Sequence, residues 1–162
     1  MANIHIKIGD IEGESKDSSH EKEIDVLSWS WGLSQPGGMG AGGGGGVSEV
    51  NVHDLSFTKY VDSASPNLFS ACCKGTHYKE DTGAVLTMRK PGDSPLEYLK
   101  IEMGDVLISS VSVSGSGGGD YPMESVSLNF AKVKVTYVPQ QEDGSGGAEN
   151  AKGWDIKKHE EL

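Results

Sequence analysis

Apolar and polar residues alternate along much of the chain, which is the pattern of β-strands that turn one face toward a core. At the N-terminus, Ile4, Ile6 and Ile8 alternate with polar residues and predict a half-buried strand. The same reasoning predicts further strands at 50–61, 84–90, 96–103, 106–114 and 126–137, and a short last strand around Trp154 and Ile156.

The segment 25–35 predicts a strand whose two faces differ in character. One face carries the large apolar side chains Leu27, Trp29, Trp31 and Leu33, and the other carries Ser28, Ser30 and Gly32. Because successive side chains of a strand point to opposite sides of the sheet, we expect a buried apolar wall behind a small, uncharged surface.

Local signals also predict one helix and one bend. Ser65 is placed to act as an N-cap, Pro66 fits the first helical position, and Gly75 marks the end of the helix. In the last long strand, apolar residues occupy even positions up to Phe130 and odd positions from Ala131 onward. This change of phase predicts a β-bulge or a sharp bend, by which a strand turns a corner of a barrel.

These elements predict a mainly β fold, an antiparallel β-barrel of two packed sheets with one short α-helix. A length of 162 residues fits a single domain over 1–162. Two segments lack strand character: a glycine-rich loop at 36–46, which we expect to be mobile in isolation, and a flexible linker at 141–150 before the last strand.

The charge of the chain excludes several classes of partner. A formal net charge of -10 would repel a phosphate backbone, and no run of Lys and Arg provides a local exception, so we expect no nucleic-acid partner. No apolar run is long enough to cross a membrane, and the alternating N-terminus does not resemble a signal peptide. The sequence therefore predicts a protein that folds in the cytoplasm.

Motifs for catalysis or cofactor binding are missing from the sequence. The adjacent Cys72 and Cys73 suit reduced thiols packed in the core, and the five histidines are far apart in sequence, so we assign them to the solvated surface. The glycines at 40–45 satisfy a GxGxxG pattern only because they are nearly a homopolymer. We expect no metal, no cofactor and no enzymatic activity.

Small polar side chains are unusually frequent on the predicted strands. Those that alternate with apolar neighbours are Ser28, Ser30, Ser110, Ser112, Ser114, Ser127 and Asn129. Exposed sheet faces more often carry charged residues, which keep them soluble and prevent edge pairing. Two readings stay open here: an ordinary surface sheet, or a face that meets another molecule or lines a passage.

Six blocks of the chain resemble the haemolysin-coregulated proteins, which form the inner tube of the bacterial type VI secretion machine. The blocks are IKIGDIEGESKD (6–17), DVLSWSWGLSQ (25–35), VNVHDLSFTKYVDSASPNL (50–68), EYLKIEMGDVLISSVSVSG (97–115), SVSLNFAKVKVTYVPQ (125–140) and KGWDIKK (152–158). Only the glycine-rich loop and the linker before the last strand lie outside the resemblance.

The resemblance implies a homohexameric ring that stacks into a tube, is propelled by a contractile sheath, and works with a spike protein. It further implies export from the bacterial cytoplasm through the type VI system and transport of small effector proteins in the lumen. It places Ser28, Ser30 and Ser112 toward the lumen and gives ring stacking to Pro36, Gly37, Gly38, Met39 and Gly40. Because the chain ends at Leu162 after its last strand, no fused toxin domain is expected.

Two other functions remain as alternatives. A monomeric ligand-binding β-barrel is conceivable if Trp29 and Trp31 stack on a carbohydrate, although the leucines that share their face favour a core role. A hydrolase that uses scattered Ser and Asp has no spacing in its favour.

Overall fold

The computed structural model describes residues 3–40, 48–92 and 95–162. In chain order its elements are β1 (Ile4–Ile8), β2 (Ile24–Asp25), β3 (Ser28–Ser30), β4 (Leu33–Ser34), β5 (Asn51–Val52), β6 (Leu55–Tyr60), α1 (Ser65–Lys74), β7 (Ala84–Arg89), β8 (Glu97–Ser114), β9 (Met123–Tyr137), β10 (Asn150–Asp155) and β11 (Glu160–Glu161). The prediction of a mainly antiparallel β fold with one helix is confirmed.

The two longest strands, β8 and β9, pair with each other and belong to both halves of the fold. The first half of β9 pairs with β6, which pairs with β3. The second half of β9 pairs with β10, and the first half of β8 pairs with β7. Helix α1 packs against β8.

The strand order is barrel-like but does not close into a continuous ladder, and one corner of the fold is joined by two consecutive residues. Val26 donates its N–H to Ile4 of β1 at 3.0 Å, and Leu27 donates its N–H to Thr58 of β6 at 2.8 Å. The two sheet halves thus meet along the chain between β2 and β3, with buried Ile, Leu, Val and Phe side chains between them.

The predicted change of phase in the last long strand is present, since Phe130 and Ala131 are both buried. The pairing with β8 keeps the same register on both sides of these residues, so the extra residue is not in β9. The shift of register lies in β8, between Ile108 and Ser110. At the level of Ala131, β8 has its own distortion at Asp105, whose φ is +54°.

Two predicted strand boundaries are wrong. The prediction ended one strand at 103 and began the next at 106, with a turn at Gly104 and Asp105 between them. Instead, β8 continues through both residues, because a single left-handed residue is accommodated within the ladder. Conversely, the strand predicted at 50–61 divides into β5 and β6. It divides where His53 donates its N–H to Gly32 at 3.0 Å.

The predicted tryptophan strand is three short strands, because β2, β3 and β4 pair with three different partners. Trp29 and Trp31 are half-buried against the core, but Leu27 and Leu33 are exposed, so the expected apolar wall is only partly buried. Each indole N–H has an acceptor, Sδ of Met88 for Trp29 and the carbonyl of His53 for Trp31, both at 3.0 Å.

The helix signals were right about position and wrong about the cap. Ala64 occupies the N-cap, and Ser65 is the first helical residue, while Gly75 ends the helix at φ +63° as predicted. Asp62 accepts the N–H of Ala64 at 2.9 Å instead. Cys73 is exposed, contrary to the core role predicted for it, because only one side of this short helix faces β8.

The segment predicted as a flexible linker, 141–150, contains a hydrogen-bonded turn. Gln141 donates its N–H to Ser145 at 2.8 Å, and Gly147 donates to Pro139 at 2.7 Å. An isolated bridge between Gln140 and Gly146 closes the turn. β10 begins at Asn150, and it is followed by the short β11 rather than ending the fold.

A lysine lies in the core beside the start of α1. The Lys59 side chain is 0% exposed, and its Nζ lies 2.8 Å from Oδ1 of Asp62 and 3.7 Å from Oε2 of Glu124. Both carboxylate oxygens of Glu124 are buried without a hydrogen bond among the described residues. Lys59 is therefore the charge that compensates a buried carboxylate.

Replacing Lys59 with Met should lower the free energy of unfolding by about 3–5 kcal/mol, because it leaves Glu124 buried without its partner. The double variant Lys59→Met with Glu124→Leu should regain part of that loss, since it removes the buried carboxylate of Glu124 but leaves Asp62 without its cation. Urea unfolding measures both changes. Lys152→Met, which breaks an exposed pair with Glu161, is the control and should change stability by less than about 1 kcal/mol. An equally small effect of Lys59→Met would contradict this account.

Candidate functional site

One face of the sheet formed by β3, β6, β9 and β8 carries two rows of hydroxyl side chains. Cross-strand pairing aligns the first row as Ser28, Thr58, Ser125 and Ser112. It aligns the second row as Ser30, Ser56, Ser127 and Ser110. We call these eight residues the hydroxyl face.

The opposite side of the same strands is the core. Trp29, Phe57, Val126 and Val111 align between the two hydroxyl rows and point inward. The alternation of side chains along each strand therefore fixes which side of the sheet faces solvent. A shift of one residue in the pairing register would exchange the two sides.

Two hydrogen bonds within the hydroxyl face join neighbouring strands. The Oγ of Ser28 lies 2.6 Å from Oγ1 of Thr58, and the Oγ of Ser56 lies 2.8 Å from that of Ser127. Among the described residues, the hydroxyls of the other four members, Ser30, Ser110, Ser112 and Ser125, bond to no other side chain. Each of these hydroxyls is available both to donate and to accept.

The edges of the hydroxyl face differ from its centre. At one edge, Asp54 accepts hydrogen bonds from Ser109 at 2.6 Å and from Asn129 at 2.8 Å, which hold its carboxylate in place. At the other edge, the exposed rings of Tyr60 and Tyr121 meet edge to face with centroids 6.1 Å apart. The eight hydroxyl residues between these edges carry no charge.

The structure brings Ser28, Ser30 and Ser112 onto one surface. Their predicted role as lumen residues stays a prediction. Sequence reasoning did not single out Ser125 of β9, or Ser56 and Thr58, which complete the rows on β6. The signal was present in the alternation of Leu55 and Phe57 with these hydroxyls, but Lys59 on the buried side obscured it.

The predicted stacking loop, 36–46, connects β4 to β5, which are not strands of this face. β4 and β5 form a separate two-stranded ladder that holds the two ends of the loop together. Of the loop, Pro36–Gly40 are described, with Met39 84% exposed, and 41–46 lie outside the described residues. An apolar cavity of about 390 Å³ lies at the base of the ladder, lined by Leu33, Gln35, Ser48, Val50, Val52, Val133, Trp154 and His159.

The described residues give no arrangement for a metal or a membrane span. Across 3–40, 48–92 and 95–162, no three His, Cys, Asp or Glu side chains are placed to hold a metal ion. Within those same ranges, no helix has the length and apolar character needed to cross a bilayer.

Comparison with known proteins gives consistent results over almost the whole chain. A family profile described as "Type VI secretion system effector, Hcp" matches residues 5–137. The chain is 54% identical over 156 residues to protein hcp1 of Pseudomonas aeruginosa, which covers 95% of this chain and 94% of that protein.

Solved structures show the same fold. Hcp1 from Salmonella typhimurium is 43% identical, with a TM-score of 0.82 and coverage of 100% of both chains. A protein solved as a type six secretion system protein is 28% identical, with a TM-score of 0.91 and coverage of 100% of both chains.

Proposed function

The chain belongs to the Hcp family of type VI secretion system proteins, and we propose that it is a structural subunit of the secretion tube. In this proposal the protein forms homohexameric rings that stack, are exported, and carry small effector proteins in their lumen. Its role is that of a structural and carrier protein rather than an enzyme. Its partners are further copies of itself, the contractile sheath, the spike protein and the effectors.

The observation that carries the proposal is the hydroxyl face. Eight small hydroxyl side chains in two aligned rows form a surface without charges or long side chains. Such a surface stays hydrated and can contact a passenger directly or through water. Without apolar anchors or charges, the cost of ordering and desolvation keeps the net affinity modest. These properties suit a lumen that must hold a folded passenger and later release it.

The purified protein should have the mass of a hexamer by multi-angle light scattering at micromolar concentration. A chelator or a reductant should not change this mass, because the proposal involves no metal and no disulfide, and both cysteines are free thiols. A monomer would contradict the proposal and favour the alternative, a monomeric barrel that binds a carbohydrate-like ligand. Loss of the ring only in reductant would instead show an intermolecular disulfide.

Ser30→Gln should leave folding and ring formation intact and prevent an effector from accumulating. The change adds length without charge at an exposed position, so stability should change by less than about 0.5 kcal/mol. Sixfold symmetry would repeat the longer side chain at six points of one level of the lumen. Pull-down of coexpressed effectors and thermal melting measure the two outcomes.

Ser18→Gln is the matched control, because Ser18 is also exposed but lies outside the hydroxyl face. It should bind effectors like the unmodified protein. A large fall in melting temperature for Ser30→Gln would place Ser30 in the core, and unchanged binding of every effector would place the carrier surface elsewhere.

Shortening the glycine-rich loop 36–46 to a tight turn should leave single rings intact and abolish stacking. The ladder of β4 and β5 already joins the ends of the loop, so the subunit should fold without it. The exposed Met39 and the apolar cavity at the base support a role in contacts with a neighbouring ring. Electron microscopy and a secretion assay measure the result, and misfolding of the subunit would show that the loop belongs to the core.

A further inference from the structure

One hairpin of the sheet carries the glycine-rich loop at its closed end. β3 pairs with β6 and β4 pairs with β5, so the chain runs out through 28–34 and returns through 51–60. The loop joins the two arms beyond β4 and β5. At a rise of about 3.3 Å per residue, the arm from Asn51 to Tyr60 is up to about 30 Å long. Tyr60 therefore lies at the open end of the hairpin, far from the loop.

A cavity of about 770 Å³ lies at this open end. Its lining includes Leu27, Tyr60 and Tyr121, whose side chains are 43%, 51% and 74% exposed. The two tyrosine rings contact each other edge to face. Large apolar groups that stay exposed together are typical of a surface that another protein covers, and tyrosine is enriched where binding energy is concentrated.

The lining of the same cavity is also acidic. It contains the carboxylates of Glu14, Asp25 and Asp62, and among the described residues no Lys or Arg lines it. Asp62 is paired with Lys59 at 2.8 Å. Asp25 contacts only the imidazole of His5, and Glu14 contacts only a backbone N–H, so both carboxylates keep oxygens that can accept further hydrogen bonds.

The described part of the loop has chemistry that fits this cavity. Residues 35–40 read Gln-Pro-Gly-Gly-Met-Gly and carry no charge. Met39 is 84% exposed, more than any other large apolar side chain in the described part of the chain. Its flexible thioether forms favourable contacts with aromatic rings. The glycines beside it allow a close approach of the backbone, whose N–H groups can donate to carboxylates.

Loop and cavity lie at opposite ends of the hairpin, so they meet between copies rather than within one. In a stack of rings that all point the same way, the closed end of each hairpin faces the open end of a hairpin in the next ring. Such a contact is heterologous, because each copy gives the loop on one side and the cavity on the other, and it continues into an open stack. A neutral loop also avoids adding repulsion between chains that each have a formal net charge of -10.

We propose that the cavity of one ring receives residues 36–40 of a second copy in the next ring, with Met39 against Tyr60 and Tyr121. Backbone N–H groups of the docked loop donate to Glu14 and Asp25. This inference rests on the proposed function, because it assigns the surface on which the stacking loop docks.

Disulfide trapping between two preparations of rings tests the contact. One preparation carries Gly40→Cys, where a new Cβ meets no atom within 4 Å, and the other carries Asn3→Cys in the lining of the cavity. Both carry Cys73→Ser, which removes the exposed native thiol. After mixing and mild oxidation, we expect a reductant-sensitive product of two chains in which mass spectrometry finds both variant peptides.

Tyrosine variants of the second preparation supply the matched controls. Adding Tyr121→Ser should lower the yield of the linked product about tenfold, because it removes an anchor of the contact. Tyr137→Ser should not lower it, since Tyr137 is also exposed but lies at the other end of β9 and outside the cavity. Moving the second cysteine from position 3 to Tyr137→Cys should abolish linking, because a disulfide needs Cα atoms within about 7 Å.

The outcomes separate the docking site from the proposed function. Light scattering before mixing establishes whether each preparation is a hexamer, and a monomer would contradict the proposed function and this inference together. Linking that does not exceed the Tyr137→Cys control overturns the docking site. Linking that is unchanged by Tyr121→Ser overturns it as well. If electron micrographs of the same mixtures still show stacked rings, the proposed function stands and another surface receives the loop.

Discussion

The pairing of β8 with β9 is the contact on which both halves of this fold depend. Each strand gives one half of its length to the hydroxyl face and the other half to the sheet that contains β1 and β7. Asp105 in β8, with φ +54°, and the adjacent buried pair Phe130 and Ala131 in β9 lie at the same level. Both strands there exchange the side that faces the core, which lets one pair of strands wrap around it.

Buried charges attach the irregular segments to this framework. Lys59 links the start of α1 to the sheet through Asp62, and Arg89 of β7 holds Asp17 of the segment 10–23. In the same segment His20 stacks on His5 of β1, so both histidines are buried and the prediction that placed them on the solvated surface is wrong. Breaking such a pair leaves an uncompensated charge in the interior, so an alternative position of either segment is strongly disfavoured. These clusters therefore specify where α1 and the segment 10–23 lie, whereas the apolar core supplies most of the stability.

Much of this architecture could be predicted because strands that cover a core repeat every two residues. β1 and β6 follow that period, and Gly75 ends α1 where expected. What could not be predicted depends on partners far away in sequence. His5 appears as a polar strand position until His20 covers it, and Gly104 with Asp105 appears as a turn until β9 pairs on both sides of it.

The hydroxyl face could be predicted only in part, for the same reason. The serines of β3 and β8 are visible as small residues that alternate with apolar ones, but their alignment into rows exists only through β6 and β9. A chain with a formal net charge of -10 has many carboxylates available for its surface, yet none lies within these rows. Exposed carboxylates lie instead in the segment 10–23 and in other loops, and the sheet face with the two rows carries small, neutral side chains. In the proposed ring, with the hydroxyl face toward the lumen, the charged loops would lie on the other surfaces of the assembly and the hydroxyls would face the passenger.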